Sequence, residues 1–257
     1  MLLVVDVGTT NFKMGVFSDG DLVETWRFAT DRKREADDYA ILISTALQKG
    51  DFVPSGFKAA IMASVVPPLT PVIAESLTKA ISVKPDIVTA DGVPETNLLV
   101  DVPHQVGIDR VVNCVAASKY CRGPAIVVDV GTFITFDVVN GDGDYGGGAI
   151  SPGPSMSAEA MFRTASQLPR IELKRPHNYI GKNTNDCMES GLYLGFLHLI
   201  DGMLKSIGDE MGSAPQIIAT GGLAEVFAGD LDGIDYVLPD LTLQGLYIVH
   251  CQMTSGE

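Results

Sequence analysis

Positive charge is scarce in this chain: 18 Lys and Arg stand against 32 Asp and Glu, a formal net charge of −14. That deficit argues against nucleic acid or an anionic membrane as the main partner, because both are bound through cationic surface. Cysteine is sparse too. Cys114, Cys121, Cys187 and Cys251 lie far apart with no C-x-x-C spacing, so neither a disulfide framework nor a zinc or redox pair is indicated. The four histidines (His104, His177, His198 and His250) show no ligand spacing. No apolar run approaches the roughly 18 residues that span a bilayer. The first residues reach Asp6 without a basic side chain, so no secretory leader is expected. These absences predict a soluble cytoplasmic protein. What remains is a chain of 257 residues, 46% apolar and 19% charged, which excludes disorder and suffices for one large domain or two smaller ones.

What is present is an internal repeat. Val4-Val5-Asp6-Val7-Gly8-Thr9 recurs letter for letter as Val127-Val128-Asp129-Val130-Gly131-Thr132. In each copy an apolar, strand-type run leads into D-x-G-T and then a second strand-like segment, 12–17 or 135–139. A polar turn comes next, Ser18-Asp19-Gly20-Asp21 or Asn140-Gly141-Asp142-Gly143-Asp144, and then a third strand, 22–28 or 145–150. D-G between β-type runs signals a hairpin. An offset of about half the chain means two related domains, since solenoid repeats are far shorter.

After each three-stranded segment the pattern alternates. Helices are expected over 34–47, 69–81 and 107–120, with strands over 58–63 and 87–89. In the second half, helices are expected over 156–165, 183–207 and 241–251, and a strand over 216–220 that ends in Gly221-Gly222. This predicts an α/β fold of two duplicated halves with a central cleft, divided near Cys121-Arg122-Gly123-Pro124 into residues 1–121 and 122–257.

D-x-G-T between two strands can bind an anion: successive turn N–H groups and Thr hydroxyls form a concavity, and the glycine lets a ligand approach the main chain. The aspartate can hold a hydrated divalent cation that bridges phosphate oxygens. Two other patterns are decoys. Gly141-Asp142-Gly143-Asp144-Tyr145-Gly146 fits G-x-G-x-x-G but joins two strands and carries two carboxylates, which would repel a pyrophosphate. Gly181-Lys182-Asn183-Thr184 is no Walker A loop, because Pro176 stands where its first glycine would be.

The duplicated D-x-G-T turn and the late Gly-Gly turn resemble the acetate/sugar kinase, heat-shock chaperone and actin superfamily. That resemblance implies two ribonuclease-H-like domains of the actin-like ATPase type with a central nucleotide cleft. A finer match is to type III pantothenate kinases, nearly full length. It rests on Asp6-Val7-Gly8-Thr9-Thr10-Asn11, Ser64-Val65-Val66-Pro67-Pro68-Leu69, Gly107-Ile108-Asp109-Arg110 and Asp129-Val130-Gly131-Thr132. Gly147-Gly148-Ala149-Ile150-Ser151-Pro152-Gly153, Gly181-Lys182-Asn183-Thr184 and Pro239-Asp240-Leu241-Thr242-Leu243-Gln244-Gly245 continue it in the family's order.

The resemblance implies ATP-dependent phosphorylation of pantothenate, the first step of coenzyme A synthesis, with Asp109 taking the proton of the attacking hydroxyl. It sets ATP against the first turn (Asp6, Val7, Gly8, Thr9, Thr10, Asn11, Phe12 and Lys13), Thr132, and Gly221 with Gly222. Pantothenate would meet Val100, Gly107, Ile108, Asp109, Arg110 and Thr184, with Arg110 pairing its carboxylate. Asp6 would help place Mg2+, and Asp129 a monovalent cation, K+ or NH4+. A homodimer through the long second-half helix is implied as well, with residues near Thr184 completing the partner's site; a helical stripe of Met188, Leu192, Gly195, Leu199 and Met203 is compatible with it or with a core face. Physics supports the base independently: the first turn of a predicted helix favours an ionised carboxylate at Asp109, and phosphoryl transfer needs positioning more than basicity.

Some positions depart from the family pattern. Phe133 and Ile134 replace a small residue and a hydroxyl in the second turn, which is expected to lie beside the phosphates. Val100 stands near a usual aromatic, Ile108 replaces Ala, and Thr9 replaces Asn. These departures admit a diverged, non-catalytic regulatory relative, or a kinase of another small hydroxylated substrate.

Overall fold

The computed structural model describes residues 1–165 and 167–255. Contacts within the chain group it into two units: Met1–Ala116 together with the closing helix, and Ala117–Asp240.

The first unit is a five-stranded sheet in the order β3-β2-β1-β4-β5, built from β1 (Leu2–Val7), β2 (Asn11–Ser18), β3 (Asp21–Ala29), β4 (Ala59–Ser64) and β5 (Asp86–Ile87). β1 pairs antiparallel with β2 and parallel with β4. Both faces of this sheet are covered, so β1 reads as a nearly unbroken apolar run. Leu3, Val5 and Val7 enter a core with Tyr39, Ile43 and Leu47 of α1 (Ala36–Lys49) and Ile73 and Leu77 of α2 (Thr70–Ile81). Leu2 and Val4 face the opposite way, into a core with Val111, Val112 and Val115 of α3 (Ile108–Tyr120). The β2–β3 connection has Asp19 at φ 53° and Gly20 at φ 100°. Two successive positive φ values are what a two-residue turn between right-twisted strands requires.

The second unit repeats this topology, in the order β8-β7-β6-β9-β10. It comprises β6 (Ala125–Val130), β7 (Phe133–Val139), β8 (Tyr145–Pro152), α4 (Pro154–Thr164), α5 (Thr184–Met211), β9 (Gln216–Thr220), α6 (Ala224–Ala228) and β10 (Tyr236–Val237). β6 is antiparallel to β7 and parallel to β9, as β1 is to β2 and β4. Both units are therefore ribonuclease-H-like. The five-residue α6 and two-residue β10 have no counterpart among the expected elements; they are too short to carry a periodic signal.

The closing helix α7 (Leu241–Ser255) departs from the division at 121/122, which leaves it in the second half. It packs with the first unit, where Leu243, Leu246 and Val249 join the core of Leu2 and Val4. Gly245 lies so close to the Val112 carbonyl that a side chain there would collide with it, and Thr242 Oγ1 donates to Asn113 Oδ1 at 2.8 Å. The Pro239–Gly245 motif thus serves to seat α7 on α3.

Candidate active site

The first turn lies at the C-terminal end of β1. The Gly8 N–H donates to the Asn11 carbonyl at 3.0 Å, so Thr9, Thr10 and Asn11 form an exposed loop. Asp6 is half-buried just before it, and Lys13 stands opposite Asp6 in the β1–β2 register. Val7 and Phe12 belong to the core; Phe12 stacks on Phe28 at 4.8 Å between centroids, so these two residues offer a ligand only their main chain. From the end of β3, Thr30 holds the turn twice: its N–H donates to the Thr10 carbonyl at 2.9 Å and its hydroxyl to the Gly8 carbonyl at 2.8 Å.

Gly107 and Asp109 open α3. Ile108 is buried in the same core as Ala63 and Val88, which anchors the start of the helix on this face of the sheet. Its side chain is core, so a substrate contact there would use main chain. Asp109 folds back over the helix start, its Oδ1 accepting from the Arg110 N–H at 2.9 Å. A Cβ at position 107 would lie 2.5 Å from this oxygen, so only glycine leaves the carboxylate its place. Burial pushes the Asp109 pKa above the ordinary carboxylate range; the Arg110 N–H and guanidinium pull it down but do not prevail. This corrects the expectation of a low pKa, which weighed the helix terminus and not the desolvation. Val100 is half-buried on the irregular segment that precedes the short Pro103–Gln105 turn.

In the second unit, Asp129 is the penultimate residue of β6, between Thr135 and Thr220 of its neighbours. Its carboxylate lies against Gly221, whose φ of +94° and contact with Asp129 Oδ1 exclude a side chain. Thr132 and Gly222 flank this point, half-buried and exposed. The Gly131 N–H donates to the Phe133 carbonyl, and the Gly153 N–H to the Thr132 carbonyl, both at 2.9 Å. Gly153, the last residue of the G-G-A-I-S-P-G element, thus closes this turn as Thr30 closes the first.

The strand registers align the two turns. Val7 pairs with Phe12, and Val130 with Ile134, so Ile134 takes the buried slot of Phe12. It is fully enclosed in the second core with Ile126 and Val128. The expectation that Ile134 lies beside the phosphates is therefore corrected: strand alternation points it inward. Phe133 takes the slot of Asn11 and is 43% exposed.

Thr184 lies in the second unit. It is exposed at the first residue of α5, where the Asn183 side chain caps the helix by accepting from the Asp186 N–H at 3.0 Å. Among the described residues, no three His, Cys, Asp or Glu side chains converge to form a protein-only metal cage. A lone carboxylate such as Asp6 or Asp129 could hold a cation whose remaining ligands were water, main-chain carbonyls or phosphate oxygens, the mode Mg2+ commonly adopts. Among the described residues no helix is long and apolar enough to cross a membrane.

The duplicated fold is shared with solved structures of low sequence similarity. A Sinorhizobium meliloti protein assigned as a 2-dehydro-3-deoxygalactonokinase aligns with a TM-score of 0.63 at 14% identity, over 98% of this chain and 99% of its own. A Campylobacter jejuni protein described as a Baf family transcriptional activator gives 0.62 at 17%, with the same coverage. These likenesses establish the duplicated two-sheet fold and nothing narrower.

The sequence narrows it. The profile of the type III pantothenate kinase family matches residues 2–206. Type III pantothenate kinases of Roseiflexus sp. (strain RS-1) and Desulfatibacillum aliphaticivorans are 41% and 42% identical, over 97% and 100% of this chain and 98% and 100% of theirs. The chain belongs to the type III pantothenate kinase family.

Proposed function

We propose that this protein transfers the γ-phosphoryl group of ATP to the primary hydroxyl of pantothenate, giving 4′-phosphopantothenate and ADP. The observation that carries this reading is the Asp109 carboxylate, held over the start of α3 with its pKa raised, in a chain of this family. As the hydroxyl oxygen forms its bond to the γ-phosphorus, the bond from phosphorus to the β–γ bridging oxygen breaks and Asp109 takes the hydroxyl proton. A raised pKa suits that role, since the acceptor must hold the proton it receives. Arg110 pairs with the pantothenate carboxylate through its planar fork.

The N–H groups of the 8–11 turn hold phosphate oxygens. Thr132 and the Gly221-Gly222 turn take the rest of the nucleotide. Asp6 holds Mg2+, which when bound neutralises phosphate charge. Asp129 holds a monovalent cation, K+ or NH4+; its carboxylate is a hard oxygen donor that Gly221 leaves room for. We place the protein in the cytoplasm, in keeping with its four free cysteines.

A homodimer through α5 is part of the same reading, with Thr184 completing the partner's substrate site. The stripe from Met188 is partly a core face, since Met188 and Leu192 are buried. The open face instead carries Gly191, Gly195 and Gly202, beside which nothing lies within 4 Å. A non-catalytic relative is the weaker reading, because Ile134 is a core side chain and does not argue for it.

ADP release measured with ATP, Mg2+ and K+ against a panel of small hydroxylated acids tests the proposal. Turnover should depend on pantothenate and place phosphate on its primary alcohol. No release, or preference for another acceptor, overturns it.

A further inference from the structure

The two repeats differ by one residue in their turns. Between Val7 and its partner Phe12 lie Gly8, Thr9, Thr10 and Asn11; between Val130 and its partner Ile134 lie only Gly131, Thr132 and Phe133. Main-chain bonds run across the shorter turn from Gly131 to Phe133 and from Gly153 to Thr132. The longer turn has the matching pair, Gly8 to Asn11 and Thr30 to Thr10, and the Thr30 hydroxyl also donates to the Gly8 carbonyl at 2.8 Å. That bond falls where the added residue of the longer turn would otherwise let the peptide after Gly8 rotate. The segment bearing Thr30 is itself anchored. The Tyr39 hydroxyl, fully buried, donates to the Asp31 carbonyl and accepts from the Asp31 N–H, each at 2.9 Å.

We infer that Thr30 is a positioning residue for nucleotide binding, which rests on the reading of the 8–11 turn as the phosphate cradle. A peptide unit is planar, so fixing the Gly8 carbonyl also fixes the direction of the Thr9 N–H that shares its plane. With the carbonyl tied to Thr30, that N–H stays turned outward toward the phosphates and the oxygen stays turned away from them. Without the hydroxyl the unit can flip and present a carbonyl oxygen to an anion. Thr30 acts through Gly8 and contacts no reacting atom. Tyr39 supports it at one remove by holding Asp31.

The test compares Thr30→Val, which keeps the shape and the N–H, with Thr30→Ser, which restores the hydroxyl. Mg-ATP affinity is measured directly by calorimetry, and KM and kcat by ADP release. Thr30→Val should weaken Mg-ATP binding and raise KM for ATP about five- to tenfold, the scale of one hydrogen bond. KM for pantothenate should stay near wild type, the thermal midpoint should fall by no more than about 4 °C, the scale of one lost hydrogen bond in a chain of this size, and Thr30→Ser should return KM for ATP to within about twofold. A merely structural residue would spread its effect over both substrates, which would overturn the inference. So would unchanged Mg-ATP affinity in Thr30→Val. If Thr30→Val does not fold, Tyr39→Phe decides: a weaker Mg-ATP affinity supports the inference and an unchanged one overturns it. Wild-type protein that binds Mg-ATP but does not phosphorylate pantothenate would overturn the substrate reading alone; wild-type protein that does not bind Mg-ATP would overturn both.

Discussion

Replacing Gly107 by Ala separates catalysis from folding. The new Cβ would stand 2.5 Å from Asp109 Oδ1, whereas ordinary contact begins at 3.4 Å, so the oxygen must retreat by about 0.9 Å. The obstacle is the end of a side chain, and the backbone at 107 is not in the positive-φ region, so the chain itself accommodates alanine. Retreat stretches the 2.9 Å bond from the Arg110 N–H, costing about 1–2 kcal/mol. Alanine in place of glycine returns about 0.4–1 kcal/mol by restricting the unfolded chain. The net loss of stability should therefore lie between about 0 and about 1.6 kcal/mol. A catalytic group displaced by about 1 Å can lose on the order of a hundredfold in rate. Urea unfolding and kcat/KM for pantothenate, measured on the same preparation, should show at most that modest fall in stability and a drop of about 100-fold in kcat/KM. A kcat/KM within about threefold of wild type would refute the placement of Asp109 as the base. A large loss of stability would show instead that the contact is structural.

The same geometry sets three further outcomes. Asp109→Asn should lower kcat by about 10²–10⁴-fold; because the wild-type carboxyl has a raised pKa when folded, its ionised form destabilises the fold, so this variant should gain thermal stability over wild type at neutral pH, the gain fading as the pH falls toward the ordinary carboxylate range. An unchanged midpoint difference across that range would contradict the burial argument. Gly221→Ala should cost about 3 kcal/mol, from backbone strain at φ +94° and collision with Asp129, and should blunt the response of activity to K+; a K+ titration identical to wild type would remove Asp129 as the cation ligand. Gly195→Leu, on the open face of α5, should leave the helix at least as stable yet lower the mass seen by light scattering to that of a monomer; a persisting dimer would move the interface elsewhere.

Much of this architecture is legible in the sequence because the periodic signals are strong. The repeated V-V-D-V-G-T run locates both central strands, and Gln216–Thr220 can be placed to the residue because it is a buried run bounded by Pro215 and Gly221. Sequence leaves the closing helix in the second half, whereas its contacts group it with the first unit, since Leu243, Leu246 and Val249 announce an apolar face but not which core receives it. Within the site, sequence exposes what is carried by unusual residue types, such as the glycine before Asp109. It hides what depends on a single hydroxyl. Thr30 is one polar residue after a strand, and only the register that brings it to Gly8 gives it meaning. The direction of the Asp109 pKa shift is misread from sequence because helix position shows in a pattern, while desolvation by neighbours distant in sequence does not.

On the proposed reading, the repeat also lets an acidic protein hold an anion. Identity between the copies ends at the threonine, and the residues beyond it differ in kind: Thr10 and Asn11 extend the first turn outward as polar loop, while Phe133 shortens the second and leaves a hydrocarbon ring at its surface. Main-chain N–H groups are a source of positive potential that does not register in a net charge of −14. A chain that relies on them must fix their direction, because a peptide unit turned over offers an oxygen in place of a hydrogen. The longer turn gains donors and also the freedom to misdirect them, and the Thr30 hydroxyl on the Gly8 carbonyl restrains that freedom. On the proposed reading the first half takes phosphate, and the second, with Asp129 pressed against Gly221, takes a small cation.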